Sequence, residues 1–178
     1  MPKKWLYPVL FSLAAAAFVG TSYATASEPP DLPPSLPAAA LPKTAVPDDV
    51  RVATSNLISD EAASHFGITD RSFENARLLT RTSQGPVFVI PGASGLCLAL
   101  ANSVACSELP TKDPIVVALL VPDVSGTHQV GAGLLNAESR PVVVTQDDGS
   151  RSAADVILGG FGISSAQDVQ RDELIAAG

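Results

Sequence analysis

Residues 86–106 read PVFVIPGASGLCLALANSVAC, and this stretch decides the fold because it carries two apolar runs and both cysteines of the chain. The first run, Val87 to Ile90, is rich in β-branched residues and ends at Pro91-Gly92, a pair typical of turns. The second run extends from Leu96 to Ala101. We therefore predict two strands joined by a turn.

The second run has two apolar faces when it is drawn as a strand. Leucines occupy positions 96, 98 and 100, whereas Cys97, Ala99 and Ala101 fall on the opposite face. A strand that is apolar on both faces is typical of the interior of a sheet with packing on each side.

Upstream of this stretch, the signals are first helical and then extended. Ser59 followed by two acids indicates a helix N-terminus, and Gly67 indicates its end, so we predict a short helix over residues 60–66. A second short helical turn is expected from Asp70 to Asn75. Residues 76–82 fit either a helix or a strand, and the alternation of arginines with Leu78 and Thr80 favours a strand.

Downstream, the uninterrupted apolar run Ile115 to Val121 predicts a further buried strand. Val124 to Val130 contains glycine and is expected to form an edge strand. Val142–Thr145 and Ala154–Leu158 flank an Asp-Gly pair, which predicts a hairpin. Residues 163–178 are expected to form a C-terminal helix or tail, since Ser165 and the acid three residues later resemble a capping box.

These elements predict an α+β fold. It consists of a small antiparallel β-meander of five to seven strands over residues 55–162, with one or two short N-terminal helices and one disulfide. An all-β sandwich or barrel is the alternative. A single domain fits the length of 178 residues and the 46% apolar composition.

The N-terminus has the pattern of a secretory signal peptide over residues 1–26. It begins with a basic segment, continues with the apolar run Leu6 to Gly20, and ends at Ala24-Thr25-Ala26, which has small residues where signal peptidase requires them. The alternative is an uncleaved membrane anchor, but the apolar run is shorter than the roughly 20 residues of a membrane-spanning helix.

Residues 27–54 are rich in proline, which blocks helix formation and removes backbone donors. We predict a disordered linker here, so that the exported chain begins at Ser27 and is sensitive to proteases up to about residue 55. The prolines stand at positions 29, 30, 33, 34, 37, 42 and 47.

The charge balance excludes some partners. The formal net charge is −7, and removing residues 1–26 would remove two lysines and change it to −9. Nucleic-acid binding depends on clustered Lys and Arg, which are few and scattered here, so we expect no nucleic-acid partner. Contact with a membrane is expected only through the N-terminal segment, if that segment is not cleaved.

Cys97 and Cys106 are the only cysteines, and an exported chain with an even number of cysteines is expected to form a disulfide between them. A redox pair is the alternative. The spacing is not Cys-x-x-Cys, and no basic residue between the two would lower the pKa of a thiol, so we favour a structural bridge.

Candidate catalytic residues are few. A serine hydrolase would use Ser94 or Ser125 with His128, but the segment around Ser94 has Leu96 where a nucleophile turn requires glycine. A zinc site would need three or four ligands, and no such set is apparent in the sequence. No phosphate-binding or dinucleotide motif is present either. We therefore assign no catalytic, cofactor-binding or metal-binding residue and expect no cofactor.

One resemblance rests on these residues. An apolar run followed by Pro-Gly-x-x-Gly-x-Cys-Leu-Ala, a second cysteine and then Val-Pro-Asp resembles small uncharacterised secreted or membrane-tethered proteins of high-GC Gram-positive bacteria. Over residues 70–160 the resemblance implies a similar architecture and brings no site residues. Those proteins more often carry Val-Pro-Asp-Gly, whereas this chain continues from Asp123 with valine.

The sequence thus predicts an exported, non-catalytic module of the cell envelope or the extracellular space with a binding or structural role. Its unidentified partner is expected to contact the loops Pro91–Gly95 and Pro122–Gly126, because exposed loops on a rigid sheet commonly carry binding residues. The serine hydrolase remains the alternative.

Overall fold

A computed structural model describes residues 28–100, 102–122, 129–136, 142–145, 151–165 and 174–176. Two α-helices, α1 (Asp48–Leu57) and α2 (Asp60–Phe66), precede the strands, and short 3-10 helices cover Pro37–Ala40 and Asp70–Asn75. The strands are β1 (Arg77–Thr82), β2 (Gly85–Pro91), β3 (Gly95–Leu100), β4 (Ser103–Glu108), β5 (Ile115–Pro122), β6 (Gln129–Leu135), β7 (Val142–Thr145), β8 (Arg151–Ile157), β9 (Gly160–Ser165) and β10 (Leu174–Ala176).

The strands form two antiparallel sheets. The first is a meander in the order β1-β2-β3-β4, and the second has the order β10-β7-β8-β9-β6-β5. The part of the chain that the structure describes is therefore mostly antiparallel sheet with few helices. The predictions of the helix over residues 60–66, the hairpin of β2 and β3 and the hairpin of β7 and β8 are confirmed.

Other predictions about the strands are wrong. Within residues 55–162 the described part of the chain contains nine strands, β1 to β9, the last of which continues to Ser165, rather than five to seven. Gln129 and Val130, the described part of the strand predicted at Val124 to Val130, belong to β6, which pairs with both β5 and β9 and so is not an edge strand. Leu174–Ala176, assigned above to a C-terminal helix or tail, is a strand paired with β7. Residues 123–128 lie outside the described part.

One hydrophobic core lies between the two sheets. Leu96, Leu98 and Leu100 of β3 point into it, and β5 and β6 of the second sheet contribute valines and leucines to the same cluster. The other face of β3, with Cys97 and Ala99, packs against a second cluster that includes side chains of the helical segments. The predicted division of β3 into two apolar faces is confirmed.

The disulfide joins neighbouring strands. Cys97 of β3 lies directly opposite Cys106 of β4 in the antiparallel register, and their Cα atoms are 4.0 Å apart. The bridge therefore fixes the hairpin of β3 and β4 on the face that the helices cover.

The proline-rich segment is part of the fold, so its interpretation as a disordered linker is wrong. We call residues 28–44 the N-terminal strap. Its Leu32, Leu36 and Ala38 are buried in the core between the sheets. The prolines prevent a long helix, as expected, but leave the apolar side chains free to pack. The predicted boundary at residue 55 also falls inside α1.

Candidate functional site

The turn Pro91–Gly95, between β2 and β3, is held against the C-terminus of α2 by backbone hydrogen bonds. The amide of Ala93 donates to the carbonyl of Gly67, and the amide of Ser94 donates to the carbonyl of Phe66, each at 3.1 Å. Gly67 ends α2 in the left-handed conformation, with φ of 67°, which turns the chain toward these partners. The turn is therefore fixed by a helix that lies far from it in sequence.

The other side of the turn is fixed by the chain that follows β4. The amide of Leu109 donates to the carbonyl of Ser94 at 3.0 Å, and Gly95 pairs with Glu108 in the sheet register. With both flanks bonded, the exposed side chains of Ala93 and Ser94 are presented on a backbone held from both sides.

Gly92 and Gly95 are needed for close packing rather than for their backbone angles. Glycine in a turn often supplies a positive φ angle, but neither of these residues does so in the structure. A Cβ atom on Gly92 would overlap the carbonyl oxygen of Phe66, and a Cβ atom on Gly95 would overlap that of Ser107. Glycine is required here because other backbone segments approach closely.

Two clefts flank the turn and share Asp31, Gly92 and Ala93. The first cleft, of about 350 Å³, lies between strap residues 28–31 and the segment from Gly67 to Arg71. The second cleft, of about 250 Å³, lies between strap residues 33–36 and the segment from Leu109 to Thr111. Both clefts thus have one wall made by the strap, which a disordered linker would not have supplied.

A buried arginine fixes the strap beside the clefts. Arg77, only 5% exposed, forms an ion pair with Asp31 at 2.6 Å and donates hydrogen bonds to the carbonyls of Leu41 and Asn75. Lys43 contacts the other oxygen of the Asp31 carboxylate at 3.0 Å. The side chain of Asn75 in turn donates to the carbonyls of the two prolines that precede Asp31.

These contacts lower the pKa of Asp31. Partial burial acts to raise the pKa, but the hydrogen bonds from Arg77, from Lys43 and from the backbone of Leu32 outweigh it and lower the pKa to about 2. The carboxylate is therefore ionised at neutral pH and is already bonded to two cations of its own chain. It has a structural role at the junction of the two clefts.

His65 and Glu108 form a pair next to the turn. His65 Nε2 lies 2.6 Å from Glu108 Oε1, and both side chains are largely exposed. The backbone of Ser94 is bonded to Phe66 and Leu109, the residues that follow His65 and Glu108 in the chain. Sequence reasoning missed this pair because the two residues are 43 positions apart and no motif links them.

The geometry around Ser94 lacks two features of a serine nucleophile. Within the described part of the chain, no hydrogen bond joins its hydroxyl to a histidine. The amides of Ala93 and Ser94 already donate to carbonyls of α2 and its cap, so neither is free to stabilise an oxyanion. Ser125 and His128, the other residues of the hydrolase prediction, lie outside the described residues.

Of the second loop predicted to bind a partner, only Pro122 belongs to the described residues. Gln84, in the turn before β2, donates a hydrogen bond to the carbonyl of Pro122 at 3.3 Å, so Pro122 lies near the Gly85 end of β2. The turn Pro91–Gly95 follows the other end, and seven strand residues span roughly 20 Å. The binding of a partner by these loops stays a prediction.

Further chemistry is limited in the described residues. They contain no group of three or more His, Cys, Asp or Glu side chains that could hold a metal ion. Among the same residues, no helix has the length and apolar character needed to cross a membrane. The disulfide is typical of proteins that mature in an oxidising, extracellular setting.

Comparison with known proteins found no match: no family model, no curated protein and no solved structure is similar to this chain. The resemblance to small secreted proteins of high-GC Gram-positive bacteria therefore stays a prediction.

Proposed function

We propose that the protein is an exported, non-catalytic module of the cell envelope or the extracellular space, and that it binds a partner at the turn Pro91–Gly95 and the first cleft. The observation that carries the proposal is the turn itself. Its backbone is bonded on both flanks, its glycines permit close packing, and yet Ala93 and Ser94 remain exposed beside a cleft. A preformed loop loses little conformational entropy on binding.

Export is supported by the signal-peptide pattern of residues 1–26 and by the disulfide. Asn75 already holds Pro29 and Pro30 in the fold, so a chain that begins at Ser27 would start directly at the strap. Mass spectrometry of the native protein should find Ser27 as its first residue. An intact Met1 in the membrane fraction would contradict this part of the proposal.

On the fold, we propose the sandwich alternative rather than the α+β class. The largest core cluster is built from side chains of both sheets, whereas the helical segments pack on the outer face of the first sheet.

The binding proposal can be tested by photo-crosslinking in the producing cells. A photoreactive amino acid replaces Ser94, whose side chain is exposed, and in a matched control it replaces Arg81, which is exposed near the other end of the first sheet. We expect a discrete crosslinked partner from position 94 and none from position 81. Identical crosslinks from both positions, or none from position 94, would contradict a contact site at the turn.

The serine hydrolase remains a second candidate because the pair of His65 and Glu108 lies next to Ser94. A fluorophosphonate probe separates the two functions, since it labels activated serines covalently. We expect no labelling of the native protein. Labelling that Ser94→Ala and His65→Ala each abolish, with the fold intact by circular dichroism, would establish the hydrolase instead.

A further inference from the structure

The tip of the hairpin formed by β8 and β9 carries one exposed apolar side chain beside a strained turn. Ile157 is 69% exposed, the most exposed of the large hydrophobic residues that the structure describes. Leu158 and Gly159 form the two-residue loop and have φ angles of 47° and 75°. Such loops favour Asn-Gly, because a branched side chain is strained at positive φ. The hairpin tip therefore presents an exposed apolar side chain beside a turn with a non-glycine residue at positive φ.

The tip lies next to the second cleft. The amide of Leu135 donates to the carbonyl of Gly159 at 2.7 Å, and Asn136, the next residue, lines the cleft. A Cβ atom on Gly159 would lie 3.2 Å from Pro37, which follows Leu36 of the cleft wall. The hairpin tip that carries Ile157 therefore lies next to the second cleft, with Pro37 of the strap between them.

We propose that two copies of the chain associate around a two-fold axis near Pro37, with Ile157 of each copy inserted into the second cleft of the other. A protruding side chain and a cleft that lie close together suit a closed, two-fold interface, because each copy offers both. The second cleft is lined in part by Gly92, Ala93 and Gly95 of the turn, while the first cleft stays open. This inference goes beyond the proposed function, and it is tested on the purified protein without any other partner.

The charges favour a second copy at this face. The chain carries a formal net charge of −7, so self-association requires a face where acids are absent or neutralised. Among the described residues, the only ionisable side chain that lines the second cleft is that of Asp31, and Arg77 and Lys43 neutralise it. The remaining lining is uncharged, with prolines and leucines beside the hydroxyls of Ser35 and Thr111.

The other exposed apolar patch is less suited to a second copy. It lies on α1, where Val52 and Leu57 are 56% and 45% exposed. Asp48 and Asp49 line the same depression, and Arg51 forms an ion pair with Asp48, so a symmetric contact there would bring the Asp49 carboxylates of the two copies together. This patch therefore supplies a matched control for the test.

Sedimentation velocity of the purified protein at micromolar to submillimolar concentrations tests the proposal. We expect a dimer whose dissociation constant rises at least tenfold for Ile157→Asp, which buries a charge, and for Ser35→Arg, which fills the cleft. Leu57→Asp should leave the dimer unchanged. Circular dichroism confirms that each variant is folded.

Mixing the two disruptive variants tests the arrangement directly. In the mixture, the aspartate of one copy would meet the arginine of the other, while the native Ile157 would meet the native cleft, so a dimer of one Ile157→Asp and one Ser35→Arg chain should form. A protein that stays monomeric at all concentrations overturns the proposal. A dimer that both variants leave intact, or that the mixture does not restore, overturns it as well.

Discussion

The hairpin of β2 and β3 and the N-terminal strap both fill the core between the sheets, but different forces hold them. The hairpin is paired with strands on both sides and is tied to β4 by the disulfide. The strap makes few backbone contacts with the body, among them the bond from Thr44 to the carbonyl of Ala76, and depends on three buried side chains and on Arg77. A segment without a strand ladder can therefore still be an integral part of a small domain.

The largest expected effect is a cavity in the hairpin. Leu98→Ala removes a fully buried side chain from a strand that neighbours hold on both sides, so it should cost about 4 kcal/mol of unfolding free energy. Leu36→Ala should cost about 2 kcal/mol, because the strap can move into the space. Urea unfolding of both variants measures the difference. Equal losses would mean that the strap is as rigid as the hairpin.

Removing the disulfide should have the next largest effect. Cys97 and Cys106 close a loop of ten residues, whose chain entropy corresponds to about 2.5 to 3 kcal/mol. The double variant Cys97→Ala/Cys106→Ala should lose about this much in urea unfolding, and reductant should not destabilise it further. Free thiols in the native exported protein, or an unchanged midpoint, would contradict a structural bridge.

Loss of the buried arginine should release the strap. Arg77→Met removes the ion pair with Asp31 and two hydrogen bonds to carbonyls, which should cost about 2 kcal/mol, since Asp31 is partly exposed and can be rehydrated. Limited proteolysis should then cleave the strap before the strands. Lys43→Met is the control, and it should cost less than about 1 kcal/mol because the lysine is half exposed. If the strap of the Arg77→Met variant resisted proteolysis, Arg77 would not be the residue that holds the strap in place.

The smallest effect concerns pH. The pKa of Asp31 is about 2 in the folded protein, below the ordinary value of 3.8, so the carboxylate stabilises the fold above about pH 4. That contribution is lost as the pH falls from about 4 to about 2. Because the side chain is 40% exposed, we expect only about 1 kcal/mol. The stability difference between the native protein and Asp31→Asn should shrink over this range, and a constant difference would contradict the mechanism.

Local patterns were enough to predict the hairpin and the helix over residues 60–66. In β3 the apolar residues alternate in size between two faces, and in α2 the cap at Ser59 and the stop at Gly67 are encoded within a few residues. Ser59 Oγ accepts from the amide of Ala62, as a capping side chain should. In these elements the interactions that decide the structure are local, so a sequence pattern can reveal them.

The strap and the site could not be predicted in this way because they depend on distant contacts. Prolines indicate that a segment is not helical, but they do not reveal whether Leu32 and Leu36 find a groove to fill. Arg77 resembles a solvated residue of an alternating strand until Asp31, 46 positions earlier, is placed beside it. Likewise, the glycines of the turn are explained only by the backbone of Phe66 and Ser107.

The central claim is that the turn Pro91–Gly95 is a rigid, preformed contact surface, and amide hydrogen exchange tests it most directly. Ala93 and Ser94 are exposed, yet their amides donate to Gly67 and Phe66. We predict that both amides exchange in the native protein nearly as slowly as those of β3, far below the rate of an unstructured peptide. Exchange of both at the unstructured rate would contradict the claim, because it would show that the turn is not held against α2.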